Sequence, residues 1–160
     1  DDNHSHLQCG MVLQWKGGKM TIIITNNIRE LIMLPKTKNF NPLVDLKLSC
    51  TCGEDGCDKR STKQMLLNML QKVRNDYGLP MLVTSGGRCP LHKDEKNRSV
   101  PADHQKCLGV DIRITGQSMA TKLTAIAAIH GFNAFGVSLE MGFIHLGYRP
   151  EKNKIVTWEY

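Results

Sequence analysis

A carboxylate stands in the middle of a run that otherwise has the pattern of a half-buried β-strand: Val110, Asp111, Ile112, Arg113, Ile114. A period of two sends Val110, Ile112 and Ile114 to one face and Asp111 and Arg113 to the other. The chain must therefore build a sheet with an apolar side and a polar side. His104 lies just ahead, in "DHQKCLGVDIRI" at residues 103–114. Either His104 and Asp111 make a satisfied polar contact, or they are two thirds of a metal site.

A second strand carries the third member. In "GFIHLGY", Phe143, His145 and Gly147 share one face, and Ile144, Leu146 and Tyr148 share the other. If the two strands pair, Asp111 and His145 project into one cleft and His104 reaches it from its loop. Two imidazole nitrogens and one carboxylate oxygen suit zinc with an open fourth position, the arrangement of a catalytic site. The remaining histidines have ordinary readings: His4 and His6 lie in the N-terminal tail, His92 on a loop, and His130 at a helix end, where a cation suits the dipole.

The rest of the chain supplies the frame. Residues 62–77 read as a helix, with Ser61 and Gln64 in the form of a capping box and Met65, Leu66, Met69, Leu70 and Val73 on one face. Gly78 and Pro80 stop it. "MLVTSG" (81–86) is a strand running into a glycine turn, and a long polar loop follows, the kind of segment on which sites are built. A second helix follows Ser118, with Met119, Leu123, Ile126 and Ile129 inward and Gly131 at its end. "FNAFGVS", "GFIHLGY" and "KIVTWEY" are three short strands. The expected fold is α+β, an antiparallel sheet with flanking helices. Residues 1–38, with only the short β-prone "TIIIT", are read as an N-terminal extension and arm, and 39–160 as the domain.

Charge and cysteine content narrow the function classes. A net charge of +6 and pI near 9.1 favour an anionic partner. The basic residues are scattered and only 6% of residues are aromatic, so a nucleic-acid binder is disfavoured. No apolar run approaches membrane-span length, and "DDNHSHLQCG" lacks the form of a secretory signal, so synthesis in the cytoplasm is expected. Cys50, Cys52 and Cys57 form a tight trio, with Cys9, Cys89 and Cys107 spread out. The trio could be a half-built zinc knuckle, a disulfide anchor or plain packing. No second CxxC supplies a fourth ligand, so disulfides or free packing thiols are expected.

The ordered motifs resemble those of the zinc D-Ala-D-Ala carboxypeptidase family, which includes cell-wall carboxypeptidases, vancomycin-resistance dipeptidases, phage endolysins and the Hedgehog signalling domain. The resemblance runs over roughly residues 40–160: a cysteine-rich patch "LSCTCGEDGC", a strand and turn "TSGGRCPLHK", then "ADHQKCLGVD", and finally "GFNAFGVSLEMGFIHLGYR" with "TWEY". It implies a Hedgehog-like fold, one catalytic Zn2+ and the ligands His104, Asp111 and His145. It also implies that Arg88 meets a substrate carboxylate or the developing oxyanion, with Ser85 and Thr84 shaping that wall. The implied activity is hydrolysis of peptide bonds in bacterial peptidoglycan, by a monomeric endolysin or virion-associated enzyme acting at the cell wall or periplasm. Trp158 and Tyr160 either line the groove or close a C-terminal strand on the core.

The chain departs from the family pattern at Ala102, Cys107 and Gly109, all exchanges among small residues, and at the proton acceptor. Relatives carry an acid three residues before the last histidine or two after it; here these are Gly142 and Gly147. The nearest acid is Glu140, which a turn at Met141–Gly142 could swing over the metal as general base. Two alternatives stand beside the lytic enzyme: a zinc-holding module that binds without hydrolysing, and a D-Ala-D-Ala carboxypeptidase or dipeptidase.

Overall fold

A computed structural model describes residues 12–16, 19–23 and 35–160. The chain divides into two compact units, residues 1–34 and 35–160. The first contains an antiparallel hairpin, β1 (Val12–Lys16) and β2 (Lys19–Ile23), in which Trp15 lies opposite Met20. This hairpin includes most of the β-prone "TIIIT". His4, His6 and Cys9 lie outside the described residues.

The second unit is a five-stranded sheet with two helices. The strands are β3 (Val83–Ser85), β4 (Gly109–Arg113), β5 (Ala134–Ser138), β6 (Phe143–Gly147) and β7 (Val156–Glu159), in the order β3-β4-β6-β5-β7. The helices are α1 (Gln64–Tyr77) and α2 (Gln117–Ile129). Alternation works as expected. Val110 and Ile112 of β4 and Ile144 and Leu146 of β6 are buried together with Leu66, Leu70 and Val73 of α1 and Leu123 of α2 in one core. Each such side chain contributes about 1.5–3 kcal/mol by leaving water. The other face of β4 and β6 is left for polar groups.

The sheet is mixed, not purely antiparallel. β3, β4, β6 and β5 pair antiparallel, but β7 runs parallel to β5. The reason is the edge available: β4 and β5 already occupy both sides of β6, so the last strand must pass β5 and join its outer edge. Asn133 fixes that crossover, its side-chain NH2 donating to the carbonyls of Arg149 and Lys152 while its oxygen accepts from the Arg149 N–H.

Two local expectations fail for identifiable reasons. The helix begins at Gln64, because Ser61 and Thr62 are drawn into extended pairing with residues 48–49: Ser61 bridges Ser49, and Thr62 donates N–H and Oγ1–H to the Leu48 carbonyl. Gln64 bonds Lys36 instead of closing a capping box, and Gln71 bonds Asn39 in the same way, so residues 36–39 are stitched to α1. The buried stripe of α1 is Leu66, Leu67, Leu70, Val73 and Tyr77, with Met65 exposed. In α2 the buried residues are Ala120, Leu123 and Ala127, and Ile129 is 79% exposed. Gly78 ends α1 as expected, in the left-handed conformation at φ 77°.

Candidate metal centre

Strand register builds the site. On the outer face a row crosses four strands: Asp111 lies directly opposite His145, His145 opposite Gly136, and Gly136 beside Trp158. Ser85 of β3 pairs next to Asp111. His104 enters from the loop before β4, and all three expected ligands are buried. Asp111 Oδ1 lies 3.1 Å from His104 Nε2 and 2.9 Å from His145 Nδ1, and the two imidazole nitrogens are 3.1 Å apart.

The second hydrogen bond of each ring decides what these atoms can do. His104 Nδ1 is 2.7 Å from the Gly86 carbonyl, a pure acceptor, so Nδ1 carries the proton and Nε2 presents a lone pair. His145 Nε2 donates to Asp103 Oδ2 at 3.1 Å, which leaves Nδ1 facing the cluster. With those protons in place, three lone pairs converge and no hydrogen lies between them, an arrangement that a cation resolves. Tetrahedral zinc with N and O ligands needs donor atoms about 3.3 Å apart, so the set fits with a few tenths of an ångström of adjustment. Each ligating histidine also has the outer partner that metal sites use to fix ring orientation.

Electrostatics keep both carboxylates of the cluster ionised. Burial pushes the Asp111 carboxyl up, but hydrogen bonds with His104 and His145 outweigh it and hold the group well below the usual carboxylate range. Asp103 is shifted up by burial and down further by His145 and Arg149, ending at about 2. Burial lowers His104, which favours the neutral ligating form, and for His145 the opposing burial is overcome by Asp103 and Asp111, which raise it. A proton would therefore compete with a metal ion at His145.

Arg88 lies at the wall of the site. Its Nη2 donates to Asp111 Oδ2 at 2.9 Å and its Nε to Ser85 Oγ at 3.0 Å. Its Nη1 is 3.5 Å from both Asp94 and Glu95. Thr84 does not face the site as expected: its Oγ1 donates to the Asp111 carbonyl, tying β3 to β4. Ser85, Arg88 and the three ligands are brought together, and Thr84 supports them from the backbone side.

Glu140 is not brought there. It lies exposed on the β5–β6 turn and lines an adjoining depression with Gln117, Val137 and Thr157, which shares Trp158 and Tyr160 with the metal cleft, while Glu140 itself does not line that cleft. The turn is held by the Met141 N–H donating to Ser138 Oγ and by Gly142 at φ 68°, and it aims Met141, not Glu140, at the metal cleft. Asp94, Glu95 and Asp103 are the non-ligand acids lining that cleft of about 600 Å³. Glu95 is buried between Arg88 and Arg98, with no hydrogen-bond partner on either oxygen.

Asp103 and Arg149 belong to the site by their contacts, and the motif reading passed over both. Arg149 Nε donates to both Asp103 oxygens at 2.9 and 3.0 Å, so the chain Arg149–Asp103–His145 braces one ligand. The signal was the glycine at 147: a Cβ there would meet Asp103 Oδ2 at 2.6 Å. The aspartate missing two residues after His145 is thus replaced in space by one from the loop. Gly109 and Gly136 are likewise required, since a Cβ at 109 would strike His145 Cε1 at 2.7 Å and one at 136 the Trp158 indole at 2.5 Å. Of the two roles open to them, Trp158 and Tyr160 take the first: both line the cleft, and neither belongs to the buried core.

Comparison with known proteins agrees with this centre. No curated protein matches the chain. Residues 38–147, more than half of the sequence and all three ligands, match the family described as Peptidase M15, and the chain belongs to that family of zinc-dependent metallopeptidases.

Proposed function

We propose that this protein is a zinc peptidase that hydrolyses peptide bonds of bacterial peptidoglycan, as an endolysin or virion-associated lytic enzyme. The observation that carries the proposal is the cluster of three buried donor atoms within 3.1 Å of one another on the wall of an open cleft. His104, Asp111 and His145 would hold the ion, which when bound supplies Lewis-acid polarisation of an amide carbonyl and an acidified water.

The chain's own groups do the rest. Arg88, whose Nη1 lies at a loose 3.5 Å from Asp94 and Glu95, offers a planar cation to a substrate carboxylate or to the oxyanion. Trp158 and Tyr160 give the opposite wall an apolar surface for a peptide stem. Proton transfer falls to an acid that lines the cleft. Asp103 is occupied by Arg149 and His145, and Glu95 is enclosed, which leaves the half-exposed Asp94 as acceptor. The excess of positive charge, +6, suits an anionic wall. One observation favours a second reading, a wall-binding module without hydrolysis: the expected base, Glu140, is outside the cleft.

A digest of purified peptidoglycan with product masses read by mass spectrometry separates the two. New amine ends that vanish with His104→Ala and with chelator establish the peptidase, and their masses name the bond. An intact wall beside fully zinc-loaded protein would leave the binding module.

A further inference from the structure

Four cysteines outside the cleft meet at one point. Cys50, Cys52, Cys57 and Cys89 place all four Sγ atoms within 4.8 Å of one another. All are free thiols, and the Cys52 and Cys89 sulfurs are 3.6 Å apart, far from the ~2.05 Å of a disulfide. Packing alone explains the cluster poorly. Cys50 and Cys89 are buried in the body of the domain, while Cys52 and Cys57 are half-buried in a loop that is otherwise largely exposed and polar, "TCGEDGCDK". Nothing apolar in that loop accounts for folding it back on Cys89.

The loop has the backbone of a ligand-holding knuckle. Gly53 and Gly56 take left-handed conformations at φ 75° and 78°, and Lys59 does so at φ 49° despite its side chain. The Lys59 N–H donates to Cys57 Sγ at 3.4 Å, and the N–H groups of Glu54 and Leu91 stand in the same two-residue relation to Cys52 and Cys89. N–H groups aimed at sulfur stabilise thiolate, the form that binds metal. The cation Arg60, paired with Asp58, lies close enough to Cys89 to offset part of the negative charge that four thiolates would bring.

We propose that Cys50, Cys52, Cys57 and Cys89 form a second, structural zinc site, with four thiolates and no open position. Tetrahedral zinc with Zn–S of about 2.3 Å sets sulfurs about 3.8 Å apart; Cys52 and Cys89 stand at 3.6 Å, and no pair is beyond 4.8 Å. On binding, four thiols release their protons, four Zn–S bonds form, and no redox change is needed. Hard cations do not suit four thiolates; iron and copper(I) also bind such sets, and the metal content distinguishes them from zinc.

The site has a mechanical consequence for the first centre. Cys89 follows Arg88, whose N–H donates to the His104 carbonyl and whose guanidinium holds Asp111. Gly86, three residues before Cys89, supplies the carbonyl that orients His104. The same segment is anchored on its other side, where the Gly87 N–H donates to the Leu48 carbonyl, two residues before Cys50. The four-cysteine site therefore clamps 48–50 to 86–89, the strip that orients one ligand and braces another.

The test is metal content of the full-length chain, purified reduced in zinc-supplemented buffer and measured by inductively coupled plasma mass spectrometry. The expected wild-type value is two zinc per chain, and Asp111→Ala and Cys52→Ser/Cys57→Ser each fall to one. Cobalt reconstitution of Asp111→Ala should show intense thiolate-to-cobalt charge transfer, absent from the cysteine variant. Should the cysteine variant not fold, an organomercurial titration of wild-type protein, read with a zinc indicator, should release one of the two ions. One zinc in the wild type that mercurial does not release overturns the proposal, as do masses showing these four cysteines joined in disulfides. Loss of wall hydrolysis alone bears on the first centre, not on this one.

Discussion

The two clusters of ligating side chains are built in opposite ways. His104, Asp111 and His145 sit against the sheet, with two members on adjacent strands in direct register. Cys50, Cys52, Cys57 and Cys89 come from two loops that no strand pairing aligns. The first offers three hard or borderline donors on the wall of an open cleft, and the second four soft donors, enough to fill a tetrahedral shell. A sheet lends precision to an incomplete coordination shell, where an exchanging ligand must arrive at a set distance. Loops need a complete shell to hold them in place. Chemistry and bracing thus follow from where the donors are mounted.

The largest expected effect comes from removing the shared oxygen of the strand-mounted cluster. Asp111→Ala should abolish zinc binding at that centre and lower wall hydrolysis by about 10³-fold or more, measured by metal content and turnover, since it deletes both a ligand and the partner of Arg88. Retained activity would show that the cluster is not the reacting centre. Next comes Asp94→Asn, expected to lower kcat by about 10²-fold or more with KM little changed, as removal of a proton acceptor should. An unchanged kcat would move that role elsewhere.

Asp103→Asn tests the bracing of the histidine and should weaken metal affinity about 10–100-fold, read by competition with a chromophoric chelator. The smallest effect is expected from Glu140→Gln, which should leave turnover within about twofold of wild type because its side chain lies outside the cleft. A hundredfold loss there would mean that the β5–β6 turn moves during the reaction.

Much of the strand-mounted cluster was legible in the sequence because a period of two is a local signal: "GVDIRI" and "GFIHLGY" each announce which residues share a face. The pairing of Asp111 with His145 then needed only that the strands be neighbours. Cys89 was not legible as the fourth thiol, because it lies 37 residues from Cys52 and belongs to no second CxxC. Asp103 was hidden for a related reason: its partner His145 is 42 residues away, and the only trace was a missing side chain at Gly147. Ser61 had the form of a cap, but tertiary pairing with residues 48–49 outweighed local propensity. Glu140 was chosen for its distance along the chain, and a tight turn put neighbouring positions on opposite sides.

β7 has a strand neighbour on one side only, whereas β4 and β6 are each paired on both. An edge strand opens at lower free energy than an interior one. The cleft therefore has one stiff bank, which carries the donors, and one compliant bank, which carries Trp158 and Tyr160. If the substrate is the bulky polymer proposed above, local opening of β7 would admit it without disturbing the spacing of the donor atoms.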